Sequence, residues 1–150
     1  MTNDTAISTL NNLIETCKDG ENGFKTAAEG LTDPAYKAKF IEYAQQRATF
    51  ARELQAQVRT LGGDPEKSGS VAASLHRGWI DIKSVVTGKS DHAILAEAER
   101  GEDVAKAAYE KAVKESLPAD AAALVQRQAS AVKQAHDHVR DARDREKVAH

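Results

Sequence analysis

Residues 5–31 read TAISTLNNLIETCKDGENGFKTAAEGL, and their apolar side chains recur every three or four positions. That spacing is typical of an amphipathic helix that buries one face. Three further stretches of the chain carry the same period, and no stretch shows the alternation of a β-strand, so the sequence predicts an all-α protein. The apolar positions of this first stripe are Ile7, Leu10, Ile14, Cys17, Phe24, Ala28 and Leu31.

Proline and glycine residues mark where the predicted helices start and stop. Asp33 followed by Pro34 predicts an N-cap and a first helical residue, so helix A should end near Leu31 and helix B should follow at once. Gly62 and Gly63 then predict the end of helix B. The tight turn between A and B makes them an antiparallel hairpin.

The connection after helix B is long enough to hold a helix of its own. Ser70 can cap this crossover helix, which we expect to end at Gly88. Its stripe predicts that Trp79 anchors it on the bundle, with His76 and Arg77 beside the anchor. A ligand pocket at these three residues is the alternative to that structural role. The stripe consists of Val71, Leu75, Trp79, Ile82 and Val86.

The remaining chain predicts a second hairpin. Ser90 can cap helix C, which we expect to run from about Asp91 to Ser116, and Pro118 opens helix D. The last residues, RDARDREKVAH, are predicted to fray in solvent. Because the crossover can return along the bundle, C should run parallel to B, which predicts one ferritin-like four-helix-bundle domain over residues 1–150. The alternative is a plain up-down order, which would need the crossover helix to fold across one end of the bundle.

Composition limits the classes of function. The chain has 150 residues, with 21 Lys and Arg against 23 Asp and Glu, and this balance argues against binding nucleic acid. We find no run of ~20 apolar residues and no secretory signal, so the sequence predicts a cytoplasmic protein without a membrane partner. The remaining partners are a second copy of this chain, in a homo-oligomer, or another protein. Cys17 is the only cysteine, so no disulfide can form within the chain.

Ionisable residues interrupt the apolar stripes near the middle of the helices. Glu21 interrupts helix A, Arg47 helix B and Glu102 helix C, and the matching level of helix D contains His136. Counting ~1.5 Å per residue from the turns places all four at one height. Since a buried charge is costly unless paired, we predict a buried polar layer of Glu21, Arg47, Glu102 and His136. Gly20, Gly23 and Gly101 predict a close approach of helices at the same height.

A metal site is the alternative interpretation of this layer. Di-iron bundles use Glu from two helices and Glu-x-x-His from the other two, and this chain lacks both Glu-x-x-His pairs. What remains for a single iron, manganese or zinc ion is Glu21, Glu99, Glu102 and His136. Arg47 argues against a metal, because a guanidinium neutralises carboxylates and repels cations. The prediction is therefore no cofactor, with a single divalent metal as the alternative.

Five segments together resemble a known family. They are LNNLIETCKDGENGF, FIEYAQQRATFARELQAQVRTLGG, LHRGW, ILAEAERGED and QAHDHVRDARD. They are similar to a bacterial four-helix-bundle family, classed as ferritin-like, whose domain has no known function. The resemblance covers nearly the whole chain and implies the fold, but fold alone does not fix function. We therefore expect a non-catalytic bundle of unknown role, with a metal-binding protein or oxidoreductase as the alternative.

Overall fold

The computed structural model describes residues 3–65, 78–88 and 90–149, with side chains up to residue 146. The described ranges contain five helices and no strand, which confirms the all-α class. No helix in these ranges is both long enough and apolar enough to cross a membrane. The helices are α1 (Asp4–Gly30), α2 (Pro34–Thr60), α3 (Ile82–Gly88), α4 (Asp91–Val113) and α5 (Ala119–Ala149).

The N-terminal ends of α2 and α4 lie together. Asp33 caps α2, since its Oδ1 accepts hydrogen bonds from the backbone N–H groups of Ala35 at 2.8 Å and Tyr36 at 3.4 Å. The carboxylate of Asp91, in the first turn of α4, accepts from the backbone N–H groups of Thr32 at 2.8 Å and Asp33 at 3.0 Å. Both helices therefore start at the same end of the bundle and run in the same direction.

Neighbouring helices enclose a core that has two halves. α1 packs on α2 and α4, and α5 packs on α4 and α2, so α2 and α4 face each other across the diagonal of the bundle. One apolar cluster fills the end that contains Leu13, Leu54 and Val125, and a second fills the end that contains Phe24, Phe40 and Ile94. Along α2 and α4, Arg47 and Glu102 fall between the residues that belong to one cluster and those that belong to the other.

The crossover differs from the predicted continuous helix. α3 ends at Gly88 as predicted but begins only at Ile82, and Gly78 has a left-handed φ of 78°, so a helix running through 78–81 is wrong. A Cβ atom at Gly78 would lie 2.7 Å from the Cα of Gly101, because the crossover backbone passes directly over α4 there. His76, Arg77 and the predicted cap Ser70 lie outside the described residues.

Trp79 anchors the crossover on the bundle. Only 2% of this residue is exposed, and its indole meets the ring of Phe24 with centroids 5.0 Å apart. A Cβ atom at Gly23 or Gly101 would lie 2.2 Å from the indole. These two glycines therefore make room for a tryptophan, whereas the sequence analysis had assigned them to a close approach of helices.

The C-terminal segment is helical, so the prediction of a fraying tail is wrong. α5 continues to Ala149. Arg143 Nη1 lies 3.3 Å from Glu99 Oε2 of α4, and the hydroxyl of Tyr36 donates to Glu146 Oε2 at 3.3 Å. Ala142 is buried in the core cluster, so both packing and polar contacts hold this part of α5 on the bundle.

Candidate functional site

A buried ion pair joins the two diagonal helices. Arg47 Nη1 donates to Glu102 Oε2 at 2.6 Å, and Nη2 donates to Oε1 at 2.6 Å. The side chains of Arg47 and Glu102 are 1% and 0% exposed. Two parallel charge-assisted hydrogen bonds are the strongest geometry available to this pair, and they give each carboxylate oxygen a donor. The structure thus brings together two of the four residues predicted for the polar layer.

The surroundings of Arg47 are shaped to hold a guanidinium. Its Cζ lies 5.4 Å from the centre of the Phe24 ring, and its Nε donates to Gln46 Oε1 at 3.3 Å. A Cβ atom at Gly20 would lie 3.1 Å from Nη1, so a glycine leaves space for the guanidinium. Burial lowers the pKa of Arg47, but the charge and hydrogen bonds of Glu102 outweigh burial and raise it, so the guanidinium stays charged.

Glu21 does not belong to this pair, contrary to the sequence prediction. Its side chain is 29% exposed, and Glu21 Oε2 lies 3.7 Å from Lys25 Nζ on the same helix. Gly20 and Glu21 both match the spacing between Cys17 and Phe24, so the stripe alone does not decide which one faces inward. The bulk of Arg47 fills the space at Gly20, and Glu21 is left at the edge of the buried face.

A chain of hydrogen bonds runs from α1 through α4 to α5 inside the core cluster that contains Leu13 and Val125. The Cys17 thiol and the Tyr109 hydroxyl are 3.1 Å apart, and the hydroxyl donates to Gln128 Oε1 at 2.7 Å. Gln128 Nε2 donates to the backbone oxygen of Phe50 at 3.3 Å and to Glu53 Oε1 at 3.1 Å. Buried polar groups are hydrogen-bonded when they are retained in a core, and this chain meets that requirement.

Gln128 is a buried polar residue that was not predicted, although the sequence contains a signal for it. Gln128 lies three residues after Val125 and four before Val132, so it occupies a core position of the α5 stripe. A glutamine at such a position needs a partner with a matching donor or acceptor. Tyr109, a buried residue of α4, supplies that partner.

The buried thiol predicts a stability change at alkaline pH. Burial raises the pKa of Cys17 from 9.0 to about 11, although the Tyr109 hydrogen bond and the charge of Arg47 oppose it. Between these values the unfolded thiol loses its proton before the folded one does, so stability should fall with rising pH by up to about 1.4 kcal/mol per unit. Cys17→Ala should remove the thiol's share of this slope in urea unfolding curves recorded between pH 8.5 and 10.5, while the share of Tyr109, whose pKa burial also raises, should remain.

The wild-type protein provides the reference for that measurement, because all other titrating groups are common to the two proteins. The stability advantage of wild type over Cys17→Ala should shrink as pH rises through this window. Stability curves that stay parallel would show that the thiol ionises equally in the folded and unfolded chains, contrary to its burial.

His136 is buried but faces a different set of residues from the one predicted. Its Nε2 lies 2.6 Å from Asp103 Oδ1 and 3.6 Å from Glu99 Oε1, and its Nδ1 lies 3.0 Å from Asp137 Oδ1. Of the predicted metal ligands, the structure brings together only Glu99 and His136. Glu102 is one residue from Asp103 but points to the bundle axis, where Arg47 holds both of its oxygens.

Asp103 is a member of this group that was not predicted from the sequence. Glu99 and Asp103 are four residues apart on α4 and therefore share a face, which is the signal that could have identified the pair. Burial, and then the neighbouring Asp103 charge, raise the pKa of Glu99. Hydrogen bonds from Lys133 and then His136 lower the pKa of Asp137.

Glu99, Asp103 and His136 each offer one ligand atom, and these atoms lie within 4.8 Å of one another. Two carboxylates and an imidazole are a donor set for a divalent transition metal.

The Arg47–Glu102 pair at the bundle axis does not offer such a donor set. A two-metal carboxylate centre needs ligands from all four helices, but at this level α1 presents Gly20 and α2 presents Arg47, so these residues do not fit such a centre.

Comparison with known proteins identifies a family for most of the chain. A family model described as Domain of unknown function (DUF2383) matches residues 5–115. The match spans α1 to α4 and ends before α5, so His136 lies outside it. No curated protein matches the chain.

Proposed function

The chain belongs to the DUF2383 family, and we propose that it is a non-catalytic, ferritin-like helical bundle that acts through its surface. In this proposal the Arg47–Glu102 pair replaces the two-metal centre that a ferritin-like bundle would carry on its axis. The bundle acts by self-association or by binding another protein, in the cytoplasm, and its interior serves stability.

The observation that carries the proposal is the bidentate Arg47–Glu102 pair. A cation introduced between the helices would have to displace a guanidinium that makes two 2.6 Å hydrogen bonds and has no access to solvent. Breaking such a pair leaves an uncompensated buried charge, at a typical cost of ~3–5 kcal/mol. A guanidinium at the axis also repels a divalent ion, so the interior favours structure over metal chemistry.

The exterior offers apolar side chains for contact with a partner. Large apolar residues are mostly buried in this bundle, but Ile80 is 76% exposed next to the Trp79 anchor. Ile41 on α2 and Val113 at the end of α4 are also exposed. Isolated exposed apolar residues are common on protein surfaces, so these three are compatible with a surface role but do not identify a partner.

The alternative function is a metal-binding protein or oxidoreductase with a site in the bundle. Its predicted ligand set included Glu21 and Glu102, and the first of these pairs with Lys25 while the second pairs with Arg47. The set is therefore not assembled as a four-residue site. The observation that favours a metal is the group of Glu99, Asp103 and His136.

Iron chemistry tests the proposed function. Ferrous iron added in air to the purified protein should be oxidised no faster than in buffer, and the protein should not bind two iron ions per chain. Absorbance of ferric iron and metal analysis after gel filtration measure the two quantities. Glu102→Gln is the matched variant, since it removes the negative charge that pairs with both terminal nitrogens of Arg47, and it should leave the slow background oxidation unchanged. Rapid oxidation that disappears in Glu102→Gln would overturn the proposal.

A further inference from the structure

We propose that Glu99, Asp103 and His136 form a binding site for one divalent transition-metal ion of the Zn²⁺ class. The site lies on the side of the bundle between α4 and α5, separate from the axial Arg47–Glu102 pair. Glu99 and Asp103 come from successive turns of α4, and His136 comes from α5. The proposal adds a ligand site to the bundle and does not require the interior to change.

The distances suit a small ion that takes the place of a hydrogen bond. His136 Nε2 is 2.6 Å from Asp103 Oδ1 and 3.6 Å from Glu99 Oε1. Ligands bound to tetrahedral zinc at ~2.0–2.1 Å stand about 3.3 Å from one another. For an ion to enter, the distance between His136 Nε2 and Asp103 Oδ1 has to lengthen by less than an ångström, roughly the difference between 2.6 and 3.3 Å.

The imidazole is already oriented as in known metal sites. Metal-bound histidines usually donate a hydrogen bond from their second ring nitrogen to a carboxylate, a backbone carbonyl or water, and this bond fixes the orientation of the ring. His136 Nδ1 lies 3.0 Å from Asp137 Oδ1, and the other carboxylate oxygen of Asp137 accepts from Lys133 Nζ at 2.9 Å. With its side chain only 5% exposed, His136 is held with Nε2 directed at the two α4 carboxylates.

The site is open on one side, which allows an ion to enter. Asp103 is 54% exposed, whereas Glu99 and His136 are largely covered. Three protein ligands leave a fourth position for water, as in zinc sites that are not closed by four side chains. An exposed carboxylate is also the ligand best able to make the small movement that coordination needs.

Arg143 is the main competitor for an incoming ion, but it engages a different oxygen. Its Nη1 lies 3.3 Å from Glu99 Oε2, while Oε1 is the oxygen that faces His136. Nη2 of Arg143 also bonds to the exposed Asp144 at 3.0 Å, so the guanidinium is shared with the surface. Glu99 can therefore keep Arg143 as a neighbour and still offer one oxygen to a metal.

Zinc titration of the purified, untagged full chain tests this inference. After chelator treatment and its removal, isothermal titration with Zn²⁺ should show one ion per chain, whereas Mg²⁺, which prefers six oxygen ligands, should not bind there. Asp103→Asn, Glu99→Gln and His136→Asn should each weaken zinc binding by more than about tenfold. Asp137→Asn should weaken it by about ten- to a hundredfold, because the imidazole loses its orienting partner.

His138→Asn is the matched control, since it removes a histidine two residues away that bonds to Tyr43 outside the cluster. It should bind zinc like the wild type. Co²⁺ gives a second readout, because coordination by an imidazole and carboxylates in place of water changes its visible absorption. Far-UV circular dichroism verifies that each variant is folded. Asp103→Asn should disturb the fold least, because Asp103 is exposed.

Two outcomes would overturn the inference: absence of stoichiometric zinc binding to the wild type, or undiminished binding to folded Asp103→Asn and His136→Asn. Neither outcome affects the proposed surface role. Conversely, rapid iron oxidation lost in Glu102→Gln would overturn the proposed function and leave the zinc measurement to be judged separately.

Discussion

Replacing Arg47 with methionine should lower the free energy of unfolding by about 3–5 kcal/mol, because it strands the fully buried Glu102 carboxylate. Methionine is flexible enough to fill most of the vacated space between the apolar clusters, so the loss reports mainly on charge. Urea unfolding at neutral pH, followed by circular dichroism, measures the effect. Loss of the Phe24 contact of the guanidinium adds to it.

A double-mutant cycle separates the pair from its individual members. Glu102→Met alone should also destabilise strongly, because it leaves the Arg47 guanidinium buried without an anion. The double variant with methionine at both positions should recover much or all of the lost stability, since apolar replacements of buried ion pairs are often neutral or stabilising. Additive losses in the double variant would show that the two side chains do not act as a pair.

Glu21→Gln is the matched control for this cycle. The sequence analysis placed Glu21 in the same layer, whereas the structure pairs it with the exposed Lys25 at 3.7 Å. A surface ion pair contributes ~0–1 kcal/mol, so this change should be nearly silent. A loss comparable to that of Arg47→Met would mean that Glu21 faces the core after all.

Sequence periodicity was sufficient for the four long helices of the bundle, but not for the crossover or for the partners of the polar residues. Asp33–Pro34 predicted the start of α2, and the structure confirms the cap. Stripe spacing, however, resolves a helix face only to about one residue, so Gly20 and Glu21 were equally good candidates for the inward position. The choice between them depends on Arg47, which comes from another helix and which no local pattern includes.

Side-chain direction accounts for the other differences at the site. Level counting correctly put His136 near Glu102 in height, but height says nothing about the direction around the helix. His136 turns to Asp103 and Glu99 on the flank of α4, and Glu102 turns to the axis. The predicted layer therefore contains two separate groups, an axial ion pair and a lateral imidazole–carboxylate cluster.

Trp79→Ala should cost about 3–5 kcal/mol, as expected for a buried tryptophan that joins the crossover to α1 and α4. The adjoining glycine provides a sharper test. In the wild-type background Gly101→Ala should destabilise by ~1–3 kcal/mol or more, because its Cβ would stand 2.2 Å from a rigid indole. That cost exceeds the ~0.5–1 kcal/mol that alanine gains over glycine within a helix.

The sign of the Gly101→Ala effect should reverse once the indole is absent. In the Trp79→Ala background the added methyl group enters the space left by the ring, so only the helix propensity and a partial filling of the cavity remain, and both are favourable. Gly88→Ala is the control, since a Cβ atom there would meet nothing within 4 Å. This substitution should change stability by the same amount with and without Trp79. Unfolding curves of the four combinations measure the coupling. An equal loss from Gly101→Ala with and without Trp79 would show that the indole does not occupy the space above this glycine, and the anchoring of the crossover would then need another explanation.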